Sequence, residues 1–307
     1  MKKIAPKNVV NLYALTSVTP LVGILDYTEG IYYGDTNVDH AVAQRNQHNY
    51  LLDEVGAQKG FRLLEIGCGL GTLLEIAKER GVLGIGITIS EDQVKKCVAK
   101  GLDARLMNYK SISKEWYGKF DGIIANGSLE HFCQPEDAIQ GKQNDIYKEM
   151  FSIFSKVLDP KSQYRKVTTT AIHFQNSHIN PEKFLKHPLL QIFDREGFHA
   201  SILHRGYGGY YPIKQQLANC ASGIFQLQKE INGTEDYRIT SEYWCNMYKK
   251  ALFTNHKFML EVCKYFLKKP SHTIWTIASY VGPESWPWQF RGKNPPTHLY
   301  RQTWQMI

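Results

Sequence analysis

Short, continuous apolar runs alternate with helix-like segments through the middle of this chain, and this alternation restricts the fold more than any other feature. The runs cover 62–66, 83–88, 104–107, 120–125 and 166–172, and helices are predicted over 72–80, 91–100 and 136–158. Strands that are buried on both faces and separated by helices are typical of a parallel sheet with crossover connections. The sequence therefore predicts an α/β fold with a Rossmann-like, doubly wound, mostly parallel sheet.

The flanking segments divide one predicted domain, residues 1–307, into four parts. Residues 1–60 are expected to form an N-terminal cover with a helix over 39–55, and residues 61–173 the ligand-binding core. Residues 174–270 are predicted to be an inserted helical lid, with helices over 213–229 and 241–266. Residues 271–307 are predicted to supply a final strand, at 273–281, and a tail rich in Trp.

Composition excludes several classes of protein. With 43% hydrophobic and 21% charged residues, the chain has the composition of a globular protein. Its six cysteines include no Cys-x-x-Cys pair, so a reducing, cytoplasmic location is expected. No uncharged apolar run approaches the roughly 18 to 20 residues of a membrane-spanning helix. The eleven histidines lack ligand spacing, so no metal site is predicted.

The formal net charge of +8 raises the question of an anionic partner. The lysine groups are small and scattered, as in Lys95-Lys96, Lys249-Lys250 and Lys268-Lys269. A nucleic-acid footprint would concentrate basic residues on one face. The charge pattern therefore argues against a nucleic-acid substrate and favours a small-molecule or lipid substrate. The sequence is also compatible with a homo-oligomer.

The strongest local motif is Glu65-Ile66-Gly67-Cys68-Gly69-Leu70-Gly71, between the first predicted strand and its helix. Glycines there allow a sharp turn and let a ligand approach bare backbone. The spacing differs from the Gly-x-Gly-x-x-Gly of dinucleotide binders, and Glu65 is a poor neighbour for a diphosphate but a good one for an ammonium group or a ribose hydroxyl. These features predict that Glu65, Gly67, Gly69 and Gly71 bind S-adenosylmethionine, against the alternative of a tight turn without a ligand.

The sequence resembles the class I methyltransferases of the cyclopropane fatty acid synthase group over roughly residues 20–265. Residues 65–71 look like motif I, and 86–93 are similar to the segment of the second strand. Residues 126–132, with their Glu-His pair, resemble the segment after the fourth strand, and 27–30 resemble the N-terminal loop. Three matched segments in the right order are more specific than any one of them.

The resemblance implies roles for further residues. Tyr27 and Thr28 match positions over the methionine part of S-adenosylmethionine, and Thr88 with Gln93 matches the pair that holds the ribose. Asn126 matches a backbone contact after the fourth strand. Tyr109 matches an aromatic residue beside the adenine, whereas Lys110 replaces an acidic residue and cannot accept a hydrogen bond from the adenine amino group.

Four residues are candidates for the catalytic site: Glu29, Glu130, His131 and Tyr243. Glu130 and His131 follow the fourth predicted strand, where open α/β sheets place their ligands, and either could remove a proton from the methyl acceptor. The alternative is a carboxylate stabilised by a helix N-terminus beside a histidine bonded to backbone. The family's late tyrosine corresponds to Tyr243, or less closely to Tyr237 or Tyr248.

Glu29 stands where the cyclopropane synthases have a cysteine that helps to hold a bicarbonate base. A second carboxylate near Glu130 would repel that anion by about 1 to 4 kcal/mol at ~4 Å. Two carboxylates instead suit an amine nucleophile or a developing cation.

The sequence therefore predicts a methyltransferase that acts on carbon or nitrogen of a small or lipophilic molecule by in-line displacement. The alternatives are a cyclopropane-forming enzyme acting on acyl lipids, a nucleic-acid methyltransferase and a non-catalytic partner subunit that binds S-adenosylmethionine.

Overall fold

A computed structural model describes residues 18–175, 177–282 and 285–307. Seven strands form one sheet in the order β3-β2-β1-β4-β5-β7-β6. They are β1 (Arg62–Ile66), β2 (Leu83–Thr88), β3 (Asp103–Leu106), β4 (Gly122–Asn126), β5 (Lys166–Phe174), β6 (Phe225–Asn232) and β7 (Thr297–Met306). The first 17 residues of the predicted N-terminal cover lie outside the described residues.

Eleven α-helices are found in the described part of the chain. They are α1 (His40–Val55), α2 (Thr72–Glu79), α3 (Glu91–Ala99), α4 (Pro135–Ile139), α5 (Gln143–Val157), α6 (Pro181–Leu185), α7 (Arg195–Gly206), α8 (Gln216–Ala221), α9 (Thr234–Thr254), α10 (His256–Lys268) and α11 (Pro270–Val281). None of these described helices combines the length and the apolarity that crossing a bilayer requires.

The first five strands pair in parallel, which confirms the predicted Rossmann-like α/β fold. β1 lies between β2 and β4, and β4 pairs with β5. Nearly every side chain of β1, β4 and β5 is buried, as expected for strands that are covered on both faces. The carboxyl ends of these strands therefore meet at one edge of the sheet, where the candidate site lies.

The last two strands are antiparallel, with β7 between β5 and the edge strand β6. The predicted helix over 213–229 is wrong for most of its length, because only α8 (Gln216–Ala221) is helical there and β6 (Phe225–Asn232) occupies its last five residues. Phe225, Leu227 and Ile231 alternate with polar residues there, as in a half-buried edge strand.

The predicted final strand at 273–281 is also wrong, because this segment lies within helix α11. Pro270 stands in its first turn, a position that favours a helix start. The buried residues His272, Thr273, Thr276, Ser279 and Tyr280 follow helical spacing. The true final strand is β7, in the segment predicted as a tail.

Two long predicted helices are each divided in the structure. Gly141, with a φ of 70°, separates α4 from α5 within the predicted helix 136–158. Asn255 separates α9 from α10, and its side chain accepts a hydrogen bond from the Phe258 amide at 2.9 Å. Short polar side chains of this kind favour the cap of a new helix over a helix interior.

Candidate active site

A cavity that is partly open to solvent lies at the carboxyl ends of β1 and β4. Ten of the residues predicted from the sequence line it: Tyr27, Thr28, Glu29, Glu65, Gly67, Gly69, Gln93, Asn126, Glu130 and His131. Open α/β sheets typically bind their ligands at this end of the sheet. The structure thus brings most of the predicted site residues around one space.

The glycine turn joins β1 to helix α2 along one wall of this cavity. Gly71 has a φ of +84°, and a Cβ atom there would lie 2.6 Å from Leu102 Cδ1 and 2.9 Å from Cys97 Sγ. Both the left-handed backbone and the close approach therefore require glycine. Gly71 does not itself line the cavity, but it fixes where the turn ends and the helix begins.

Glu65 at the end of β1 is buried, and its Oε2 atom has no hydrogen-bond partner among the described residues. Burial raises the pKa of this carboxyl well above its ordinary value, and the nearby Asp26 carboxyl raises it further. A buried acceptor without a partner is costly to maintain. Glu65 therefore fits a ligand that donates a hydrogen bond or carries a positive charge.

Thr88 and Gln93 meet at the end of β2, as the resemblance implied. The Thr88 hydroxyl donates a hydrogen bond to Gln93 Oε1 at 2.6 Å, and both side chains are buried. Thr88 does not line the cavity, whereas Gln93 does. The threonine thus orients the glutamine amide, whose Nε2 donors remain for another partner.

The N-terminal loop is fixed to the end of β4 by hydrogen bonds. Asn126 Nδ2 donates to Thr28 Oγ1 at 2.6 Å, and Gln44 Nε2 donates to the Thr28 carbonyl at 2.8 Å. The Tyr27 ring stacks on Trp244 with centroids 4.4 Å apart, so the loop also packs on helix α9. These contacts hold residues 27 and 28 over the cavity.

Glu130 and His131 occupy the turn after β4 and are held by backbone. The Ile172 amide donates to Glu130 Oε1 at 2.9 Å, while Oε2 is buried without a hydrogen-bond partner among the described residues. Burial raises the pKa of the Glu130 carboxyl to about 8. Burial also lowers the pKa of His131 to about 4. Near neutral pH, His131 is therefore uncharged and Glu130 exchanges a proton readily.

A glycine-rich loop closes over this turn. Gly209 has a φ of +91°, and a Cβ atom there would lie 2.1 Å from the Glu130 carbonyl oxygen, so only glycine fits. Its amide donates to Gln134 Oε1 at 3.0 Å, and Gln134 Nε2 donates to the His131 carbonyl at 2.9 Å. The loop predicted as part of the lid thus packs directly on the Glu-His turn.

Glu29 is held from a distant part of the chain. Gln47 Nε2 donates to Glu29 Oε1 at 2.6 Å, and the Gln47 Oε1 atom accepts from Arg301 Nε at 2.6 Å. Arg301 Nη1 also contacts Asp236 Oδ2 at 2.9 Å. Burial raises the pKa of Glu29, while the Arg301 charge opposes this rise. Strand β7 therefore fixes a carboxyl in the N-terminal loop.

Besides Gly71 and Thr88, two more predicted site residues, Tyr109 and Tyr243, lie outside the lining of the cavity. Tyr243 instead stacks on His40, with ring centroids 4.0 Å apart, and Tyr237 on the same helix lines the cavity in its place. Tyr109 is buried and stacks on Phe132 at 4.1 Å. Lys110, the departure from the family pattern, forms an ion pair with Glu149 at 2.8 Å.

Sequence reasoning missed several residues that line the cavity. The half-buried Asp26 pairs with the buried His48 on the side of the N-terminal loop. Four aromatic residues form the far wall: Tyr207, Tyr211, Tyr237 and Trp286. The run of Gly and Tyr at 206–212 gave a local signal for Tyr207 and Tyr211, and the resemblance gave Tyr237 as an alternative to Tyr243. Among the described residues, no group of three or more His, Cys, Asp or Glu side chains could hold a metal ion.

Comparison with known proteins finds relatives in sequence and in fold. Cyclopropane mycolic acid synthase 1 of Mycobacterium tuberculosis is 25% identical over 192 residues, which cover 59% of this chain and 59% of that protein. This chain spans 22% to 59% of the length of the first curated relatives that it matches.

Two solved structures share the fold. The cyclopropane synthase MmaA2 from Mycobacterium tuberculosis matches with a TM-score of 0.72 and 17% identity, over 100% of both chains. Coclaurine N-methyltransferase, solved with N-methylheliamine and SAH, matches with a TM-score of 0.73 and 13% identity, over 99% of this chain and 84% of that one. The family model for mycolic acid cyclopropane synthetase matches residues 25–268, and the chain therefore belongs to this family.

Proposed function

We propose that this protein is an S-adenosylmethionine-dependent methyltransferase that acts on carbon or nitrogen of a small or lipophilic molecule. One observation carries the proposal: a single cavity joins the glycine turn after β1 to the Glu130-His131 turn after β4. The first offers bare backbone and a buried carboxyl to a bound nucleoside, and the second offers a group for proton transfer beside it. Family membership supports the same reaction class.

The residues of the first wall fit S-adenosylmethionine. Glu65, with its unpartnered buried oxygen, would accept a hydrogen bond from the amino group of the methionine part, and Gln93 would bind ribose hydroxyls. Tyr27 and Thr28 would cover the methionine part, and Asn126 anchors Thr28. Bound there, S-adenosylmethionine supplies an electrophilic methyl group on a sulfonium, so the protein must mainly align the acceptor and exclude water.

The residues of the second wall would act on the acceptor. Glu130 is the candidate base, because its Oε2 atom faces no protein donor and burial brings its pKa to about 8. Glu29, with its raised pKa, is a second group for proton exchange. We propose Tyr237 as the tyrosine of this wall instead of Tyr243, because only the former lines the cavity.

Calorimetry with S-adenosylhomocysteine, followed by a methyl-transfer assay, tests the proposal. We expect wild-type protein to bind this compound and Glu65→Gln to bind it at least about tenfold more weakly, a change of roughly 1.4 kcal/mol. Glu115→Gln is the matched control, because Glu115 is exposed and lies outside the cavity lining. Absence of binding by folded wild-type protein would refute the proposed function.

A second candidate is cyclopropane formation on acyl lipids, and the family match favours it. Incubation with S-adenosylmethionine and vesicles of unsaturated phospholipid, followed by mass spectrometry of the acyl chains, separates the two. A gain of one methylene group per acyl chain would support cyclopropane formation, and a methylated product of another kind would support the first proposal.

We also propose a cytoplasmic location. All six cysteines are free thiols, and five of them are buried. Free thiols persist in reducing compartments, where disulfides are rare. Fractionation of cells expressing a tagged chain, together with thiol counting on the isolated protein, would test this location.

A further inference from the structure

The walls of the cavity carry an unusual balance of charge. Its lining includes four carboxyl side chains, from Asp26, Glu29, Glu65 and Glu130, and no lysine or arginine side chain. Of its two histidines, His48 is paired with Asp26, and burial lowers the pKa of His131 to about 4. The described lining therefore holds acids that no cation of the lining neutralises.

The acidic groups belong to two regions of the cavity. Glu65 and Asp26 lie beside the glycine turn, where the proposed function puts the amino group and sulfonium of S-adenosylmethionine. Glu29 and Glu130 lie close enough for the charge of Glu29 to raise the pKa of Glu130. No lysine or arginine of the cavity lining pairs with these two carboxyls. Arg301 lies outside the lining, where its charge opposes the rise of the Glu29 pKa and its guanidinium is bound by Gln47, Asp236 and the Gly30 carbonyl.

Aromatic rings line the same cavity as this second pair. The Tyr207 and Trp286 rings lie 4.5 Å apart, and Tyr237 lies 6.3 Å from Trp286. The Glu130 charge acts on both Tyr211 and Tyr237, so the rings and the carboxyls share one region. Aromatic faces attract cations, and most strongly where water is excluded.

Glu130 adds an independent sign of a ligand. The residue is 5% exposed and lines the cavity, and its Oε2 atom has no hydrogen-bond partner among the described residues. Hydrocarbon against this oxygen would leave a buried acceptor unsatisfied, which costs free energy. An ammonium N–H would supply both the missing donor and the missing charge.

We propose that the methyl acceptor is an amine, bound as an ammonium ion between Glu29 and Glu130 and against the rings of Tyr207, Tyr211, Tyr237 and Trp286. This inference rests on the proposed function. In its ionised form, which the positive charge of the bound ammonium ion favours, Glu130 takes one proton from the nitrogen, and the freed lone pair then forms the bond to the methyl carbon. The bond from that carbon to sulfur breaks with its electron pair going to sulfur, which leaves a neutral thioether and an N-methylated ammonium product.

The test compares two probes of similar shape, benzylamine and benzyl alcohol. At neutral pH the amine carries a positive charge and N–H donors, whereas the alcohol carries no charge. Each is titrated by calorimetry into wild-type protein saturated with S-adenosylhomocysteine. We expect benzylamine to bind roughly tenfold or more tightly than benzyl alcohol, because carboxylates and desolvated aromatic faces both favour a cation. Equal binding of the two probes, or binding of neither, would overturn the amine assignment while leaving the proposed function intact. Failure of S-adenosylhomocysteine to bind would instead refute the proposed function itself.

Variants assign the preference to particular groups. Glu130→Gln keeps the shape of the side chain and removes its charge, and we expect the preference for benzylamine over benzyl alcohol to fall to about threefold or less. Glu115→Gln, an exposed position, should leave the preference unchanged. Should Glu130→Gln fail to fold, Trp286→Leu removes one aromatic face without changing charge and should also lower the preference. A preference that persists in a folded Glu130→Gln protein would contradict the role of Glu130.

Turnover gives a second, independent measurement. With labelled S-adenosylmethionine, we expect the label to enter a primary amine such as benzylamine, and the Glu130→Gln variant to transfer it more slowly. Label that enters vesicles of unsaturated phospholipid, and no amine, would overturn the assignment.

Discussion

Replacing Arg301 by Met should destabilise the protein more than any surface charge change. Arg301 lies on β7 and is 1% exposed. Its guanidinium donates to Gln47 Oε1 at 2.6 Å, to Asp236 Oδ2 at 2.9 Å and to the Gly30 carbonyl at 3.0 Å. Methionine keeps most of the apolar stem, so the change isolates the loss of the charged group.

The expected cost follows from the partners that remain. Asp236 keeps a charge that is only 19% exposed, and Gln47 loses the donor that orients its amide toward Glu29. Removing one member of a buried ion pair typically costs about 3 to 5 kcal/mol, because the other charge stays buried without compensation. Arg301→Lys keeps the charge but cannot reproduce three directed hydrogen bonds, so we expect an intermediate loss.

Urea unfolding, followed by tryptophan fluorescence and far-ultraviolet circular dichroism, measures this free energy. Arg45→Met is the matched control, since Arg45 pairs with Glu79 at a half-exposed site. That change should lower the free energy of unfolding by less than about 1 kcal/mol. If Arg301→Met lost no more stability than Arg45→Met, the assignment of Arg301 as the anchor of the N-terminal loop would be wrong.

Three further predictions concern the site. Gly71→Ala should abolish binding of S-adenosylhomocysteine in calorimetry, because its Cβ would lie 2.6 Å from Leu102 Cδ1. Gly34→Ala, at a φ of +81° with open space around it, should leave that binding unchanged, and equal binding by both variants would contradict the steric argument. The folded state keeps a proton on Glu130 up to pH about 8, whereas the unfolded chain loses it near pH 4.5, so the free energy of unfolding should fall as pH rises between these values. Glu130→Gln should reduce this slope by up to about 1.4 kcal/mol per pH unit in urea titrations at pH 5 and 8, and an unchanged slope would refute the burial argument. Raising salt from about 50 to 200 mM should change methyl transfer by less than about threefold, whereas a nucleic-acid substrate with several phosphate contacts would lose on the order of 10³-fold in affinity.

The positions of the first five strands along the chain, and the glycine turn after the first of them, could be predicted from the sequence alone. Strands β1 to β5 begin and end within two residues of the predicted runs, and helices α1 to α3 within one residue. These elements are covered on both faces or carry local start and stop signals, so their patterns are continuous in the sequence. Cavity residues such as Glu65, at the end of β1, and Glu130, on the turn after β4, could therefore be placed at this edge of the sheet from the sequence.

The far wall of the site was decided by the tertiary structure. Tyr237 and Trp286 reach the cavity because helix α9 and the segment after α11 fold back over the sheet, and no local pattern distinguishes them from core residues. Tyr243, chosen from the family pattern, lies on the same helix but packs against His40.

The sequence by itself therefore determined the parallel half of the sheet and the glycine turn that follows β1. The tertiary structure decided the antiparallel half, where β7 buries polar residues such as Arg301 that satisfy their hydrogen bonds with Gly30, Gln47 and Asp236. Such a strand has no apolar run of its own. Its stability depends on partners 65 to 271 residues away in the sequence, which only the folded chain brings together.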